Sequence, residues 1–165
     1  MIKRRKRKGY FSPAEGTPEP IVVEVRSRVR FNECDVMGVV WFGNYMRYFE
    51  DGSAAIGRKC GMTFSDFRQA GVKAPMVQCH TDYHYPLLLD EEFTIRATLY
   101  YSEAAVIEKE FQIIKADGTL AASGYTVQLL MDKDNRHIAV SPPLLQRCRE
   151  RWRNGDFHAK GEVSS

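Results

Sequence analysis

The chain has 165 residues, 44% of them hydrophobic, with a formal net charge of +3. That is enough apolar material for one buried core, and the mixture excludes collagen-like and disordered classes. Six cations crowd into Lys3 to Lys8 and leave the rest of the chain at −3; a nucleic-acid binder carries its basic excess on the folded domain, so nucleic acid is not an expected partner. No apolar run reaches the roughly 18 residues of a membrane span, and no apolar stretch follows the basic start as in a secretory signal, so a cytoplasmic protein is expected.

Residues 1–20 read as a basic flexible arm and a linker, because Pro13, Pro18, Pro20, Gly9 and Gly16 interrupt a stretch with little apolar content. A single domain is expected over 21–153, followed by a flexible tail over 154–165 that frays after Asn154. The domain opens with a strand: Ile21, Val23, Val25, Val29 and Phe31 alternate with Glu24, Arg26, Arg28 and Arg30. Asp35 follows its end in a Gly-containing apolar loop, Val36-Met37-Gly38-Val39-Val40-Trp41-Phe42-Gly43.

Tyr45, Tyr48, Phe49, Gly52 and Ile56 then share one helical face, which predicts a helix from about Gly43 to Lys59 with Asn44 as its N-cap. Thr63 to Asp66 opens a second, short helix as a capping box, and Gly71 ends it. Strands are predicted over Met76 to Tyr85, Glu92 to Tyr101, Ala104 to Lys115 and Leu120 to Met131, with Asp117-Gly118 as a hairpin turn. A short closing strand over His137 to Val140 and a helix from Pro143 to about Trp152 complete the pattern. The sum is an α+β fold, a long helix packed on a curved antiparallel sheet, whose open edges favour a homo-oligomer.

The four cysteines, Cys34, Cys60, Cys79 and Cys148, are scattered without a CxxC pair, which suits reduced thiols. His80 and His84 fall about 13 Å apart on a strand at ~3.3 Å per residue, too far to share one ion, so no metal is expected.

The Asp35 loop carries the chemistry. A carboxylate among apolar side chains is costly to keep ionised, and a nearby helix start offers N–H donors for a developing oxyanion. Hydrolysis at a carbonyl needs such a donor, for which the Phe42 N–H is the candidate, and a nucleophile or an activated water, for which Asp35 is. The structural alternative for Asp35 is a turn-capping side chain bonded to N–H groups two or three residues on. Glu50 and Asp51 read as solvated or interface-facing.

Asp35-Val36-Met37-Gly38-Val39-Val40-Trp41-Phe42-Gly43-Asn44-Tyr45 and Tyr83-His84-Tyr85-Pro86-Leu87 resemble the hotdog-fold thioesterases of the 4-hydroxybenzoyl-CoA thioesterase type, over about residues 21–150. The resemblance implies a hotdog fold and hydrolysis of an acyl- or aryl-CoA thioester by the aspartate matching Asp35. It further implies a homodimer or homotetramer with sites at subunit interfaces, and neither metal nor bound redox cofactor. Many relatives carry His or Tyr where this chain has Phe42, and a phenyl ring forms no strong hydrogen bond, so only a backbone role is expected there. Phe31, Trp41 and Tyr45 are the expected substrate-lining residues, with core packing an equal reading for Trp41 and Tyr45. A non-catalytic acyl-CoA or aromatic-ligand binding protein on the same fold is the alternative function.

Overall fold

A computed structural model describes residues 9–158. The basic residues Lys3 to Lys8 lie outside them, as does the tail beyond His158.

Five strands form one antiparallel sheet: β1 (Ile21–Arg28), β2 (Met76–Tyr83), β3 (Glu92–Tyr100), β4 (Val106–Lys115) and β5 (Leu120–Leu129), in the order β1-β3-β4-β5-β2. Helix α1 (Tyr45–Cys60) lies across β1, β3 and β4; α2 (Phe64–Ala70) follows it, and α3 (Pro143–Arg153) closes the chain against α2. This is the α+β hotdog layout: the sheet stays open, with β1 and β2 as its two edges.

The predicted helical stripe is the contact between layers, since Tyr45, Tyr48, Phe49, Gly52 and Ile56 are all buried. Two glycines permit that approach. A Cβ on Gly52 would sit 2.9 Å from the Ala97 Cβ, and one on Gly124 of β5 would sit 2.2 Å from the His80 carbonyl and 2.6 Å from the Phe49 ring. With no Cβ in the way, Phe49 stacks on Phe111 of β4 at 4.6 Å between centroids. The α2 capping box is formed as the sequence predicts: Thr63 N–H donates to Asp66 Oδ2 at 2.7 Å, and Gly71 ends the helix in the left-handed region.

Four local expectations change. The first strand stops at Arg28 and gives way to a 3-10 turn at Phe31–Glu33: Val29 N–H still reaches the Glu91 carbonyl at 2.9 Å, but Glu91 N–H turns to the Leu88 carbonyl at 3.1 Å and the pairing ends there. Asn44 does not cap α1 with its side chain; a 3-10 turn, Phe42–Asn44, precedes the helix and the Asn44 amide is used elsewhere. His137 makes only a single bridge to Met131 in place of a closing strand, in a segment dominated by the Asp132 turn. The chain past Asn154 continues in turns to His158 and buries Phe157 under the Arg151 guanidinium, 4.7 Å from its centroid.

Gly9 to Phe11 also rest on the domain. Tyr10 Oη donates to Asp82 Oδ2 at 2.6 Å, and the Phe11 ring packs edge-on against Tyr125 at 5.4 Å. Tyr125 is opposite Glu110 in the sheet, and Glu110 alternates with the helix-facing Phe111, so these contacts cover the face away from α1.

Candidate active site

Asp35 lies at the tip of a short β-ribbon between β1 and α1. Its N–H donates to the Val39 carbonyl at 2.9 Å, Gly38 N–H donates back to the Asp35 carbonyl at 3.0 Å, and Cys34 bridges Val40. Gly38 takes φ +75°, a left-handed value that this turn requires and that costs glycine nothing. The other half of the ribbon pairs with the segment after β2: Val40 N–H donates to the Leu87 carbonyl at 2.9 Å and Leu89 N–H to the Gly38 carbonyl at 3.3 Å. The two sequence stretches that carry the family resemblance are therefore neighbours in space.

The Asp35 carboxylate is partly buried and accepts a hydrogen bond from the Met37 N–H at 2.8 Å through Oδ1. The turn-capping role is thus real. Oδ2 makes no hydrogen bond among the described residues and stays open for other chemistry. The apolar enclosure suggested by the sequence is missing within one chain, because Val36 is fully exposed and Met37 three-quarters exposed. These side chains point outward since the tight turn leaves no core beneath them.

At the helix start, Asn44 N–H donates to the Trp41 carbonyl at 2.9 Å. In a trans peptide the C=O and the following N–H point in opposite directions, so this bond turns the Phe42 N–H out of the front of the helix. The next peptide is fixed by β2, where Tyr83 Oη donates to the Phe42 carbonyl at 2.9 Å. The α1 dipole adds positive potential at the same place. Trp41 lies with its ring against Phe42, 4.8 Å between centroids, and folded over Gly43, where a Cβ would meet the indole at 2.1 Å.

The other expected lining residues separate. Phe31 is 83% exposed, on the 3-10 turn before the ribbon, and Phe42 is 63% exposed. Tyr45 is buried, its ring edge-on to Tyr48 and Tyr83.

Sequence reading missed the residue that fastens the ribbon to the helix, Glu33. Its carbonyl accepts from Trp41 N–H at 2.9 Å and from the Asn44 side-chain amide at 2.8 Å. Its carboxylate accepts from Arg30 N–H at 2.8 Å and from Tyr48 Oη at 2.9 Å. Burial first, and the Glu33 carboxylate second, push the Tyr48 phenol well above its ordinary range, so Tyr48 remains a donor. The available signal was the position of Glu33 three residues after Arg30, the spacing at which a carboxylate reaches back to cap a turn.

Among the described residues no His, Cys, Asp or Glu cluster has the geometry to hold a metal ion, and no helix is long and apolar enough to cross a membrane.

Comparison with known proteins agrees with the fold. The model of the thioesterase-like superfamily matches residues 29–148. The chain is 25% identical to the 1,4-dihydroxy-2-naphthoyl-CoA hydrolase of Synechococcus over 134 residues, 78% of this chain and 89% of that protein. It is 29% identical to the 4-hydroxybenzoyl-CoA thioesterase of a Pseudomonas species over 82 residues, 47% of this chain and 57% of that one. The crystal structure of the DHNA-CoA thioesterase from Staphylococcus aureus superposes with a TM-score of 0.72 at 21% identity, covering 86% of this chain and 97% of that one. With both halves of the resemblance paired in one ribbon and most of the domain matched, the chain belongs to the thioesterase-like superfamily.

Proposed function

We propose that this chain hydrolyses an acyl- or aryl-CoA thioester, with Asp35 as nucleophile or general base and the Phe42 N–H as donor to the oxyanion. The observation that carries this reading is the aimed peptide: the Asn44 and Tyr83 hydrogen bonds orient two successive peptides at the helix start, next to the ribbon that holds a carboxylate with one free oxygen. A donor fixed before the reaction stabilises charge as it develops on the carbonyl oxygen without reorganising. As nucleophile, Asp35 attacks the thioester carbon, CoA leaves as its thiolate, and water opens the mixed anhydride; as general base, it takes the proton of an attacking water. An acyl-enzyme on Asp35, trapped by rapid quench, distinguishes the first from the second. The relatives named above are hydrolases of aryl-CoA thioesters, which favours that substrate class.

A homodimer supplies what one chain lacks around Asp35. Phe31, Val36, Met37, Phe42, Leu88 and Leu89 form an exposed apolar surface on and beside the ribbon, and the edge strand β2 exposes Met76 and Val77. A second copy over this surface excludes water from the carboxylate and raises its reactivity. Sedimentation velocity should give a dimer or tetramer at micromolar concentration; a stable monomer removes this part of the proposal.

The decisive assay is thiol release from a panel of acyl- and aryl-CoAs. Turnover of at least one class supports the proposal, whereas binding across the panel without any turnover makes the chain a ligand-binding member of its family.

A further inference from the structure

Two of the four cysteines meet in the interior, far apart in sequence: Cys60, the last residue of α1, and Cys148, midway along α3. Each is 2% exposed, and their side chains hydrogen-bond to one another. The other two have different partners, since Cys34 Sγ donates to the Arg30 carbonyl at 3.8 Å and Cys79 Sγ to the Met46 thioether at 3.1 Å. A single buried cysteine serves as a small apolar side chain. Two that touch across a pair of helices are also placed to join.

The pair is reachable. A cavity of about 420 Å³ opens between the end of α1, α2 and α3, and both cysteines line it. Around them Gly61, Gln69, Arg147 and Arg151 are exposed, so the buried sulfurs form its inner end and a small solute enters past the two guanidinium groups. Those cations favour an anion at the mouth and a thiolate within. The hydrogen bond from Cys60 first, then the charges of Arg151 and Arg149, bring the Cys148 thiol below its ordinary value against the cost of burial. Cys148 is thus the sulfur that reaches the nucleophilic form, with Cys60 as the donor beside it.

We propose that Cys60 and Cys148 are a peroxide-responsive pair that closes into a disulfide and latches α3 to the end of α1. The Cys148 thiolate attacks one oxygen of hydrogen peroxide, the O–O bond breaks, and the departing hydroxide takes up the proton the thiol had lost and leaves as water. Cys60 then attacks the sulfur of the resulting sulfenic acid; the S–O bond breaks and the hydroxyl leaves with the Cys60 proton as a second water. Two thiols lose two electrons, and one peroxide is reduced to two waters. The new link closes residues 60–148 into a loop that contains α2 and β2 to β5, which restricts the unfolded chain and stabilises the fold. In the reduced chain α3 is held by the packing of Leu144, Leu145 and Trp152 alone, without a covalent tie. Neither Asp35 nor thioester turnover enters this chemistry.

Peptide mapping without reductant, on the full chain first reduced and then treated with hydrogen peroxide, tests the pairing. A Cys60–Cys148 cross-link within one chain should appear, and the melting temperature should rise by several degrees and fall back with dithiothreitol. In Cys60→Ser the sulfenic acid has no resolving thiol, so dimedone should label Cys148; in Cys148→Ser it should leave Cys60 unlabelled. Recovery of both residues as free thiols under peroxide that oxidises the exposed Cys79, a cross-link formed only in urea-unfolded chain, or an unchanged melting temperature after cross-linking would each overturn the proposal. Labelling of Cys60 in place of Cys148 would overturn the order of attack. The map and the melting curve are read on the wild type, so they decide the matter even if a serine variant fails to fold.

Discussion

The Tyr48 hydroxyl donates to the Glu33 carboxylate at 2.9 Å, and through that bond the long helix grips the base of the ribbon that carries Asp35. Tyr48 is buried and Glu33 partly so, which puts the bond where water competes poorly. A double-mutant cycle with Tyr48→Phe and Glu33→Gln should give a coupling of about 1–2 kcal/mol in urea unfolding. Both single variants should also lower kcat for thioester hydrolysis while remaining folded, since they loosen the ribbon rather than the core. Additive effects on stability would mean the bond carries no weight.

Tyr83 holds the Phe42 carbonyl, and with it the peptide at the helix start. Tyr83→Phe removes one neutral hydrogen bond, worth about 0.5–1.5 kcal/mol. On the proposed mechanism the expected result is a loss of up to about tenfold in kcat with little change in KM, because the bond fixes the peptide adjoining the proposed Phe42 N–H donor. A rise in KM at constant kcat would place Tyr83 in ground-state binding instead.

Gly124→Ala tests the close approach of helix and sheet. Its Cβ would fall 2.2 Å from the His80 carbonyl and 2.6 Å from the Phe49 ring, and backbone cannot yield as a flexible side chain does. Overpacking of this kind costs about 1–3 kcal/mol. A matching fall in the urea midpoint is expected, and an unchanged midpoint would contradict the packing described.

Lys109 gives stability a pH signature. Its folded value is about 8 against an ordinary 10.5, with burial the main cause. As pH rises the folded chain gives up the proton first, so between about 8 and 10.5 the unfolded chain binds more protons and stability increases with pH. The groups acting on it are Glu50, Ser53 and Cys60 of α1, Gln128 of β5 and the neighbouring Lys73, and of these Glu50 first and Cys60 second oppose the shift. The unfolding free energy of the wild type relative to Lys109→Met should therefore climb by about 3 kcal/mol across that window. A flat difference would mean that the amine is solvated.

The layers of the fold were legible because they rest on periodicity: the alternation in β1 and the Tyr45–Ile56 stripe each follow from burying one face. The capping box at Thr63 was legible because its partners are three residues apart. Glu33 was not, since its importance comes from Tyr48 and Asn44, which only the folded ribbon brings to it. Asn44 misled for the same reason: its amide serves the Glu33 carbonyl, and a 3-10 turn opens the helix without a side-chain cap. Lys109 lies in an alternating strand at a position that patterning reserves for apolar residues, and such an exception carries no partner in the sequence.

Asp35→Asn bears most directly on the chemistry, since it keeps the acceptor for the Met37 N–H and removes the charge. With an aryl-CoA turned over by the wild type, thiol release should fall by about 10²–10⁴ in kcat while the thioester still binds and the melting temperature holds. A kcat within about twofold of the wild type would show that the reaction proceeds without this carboxylate.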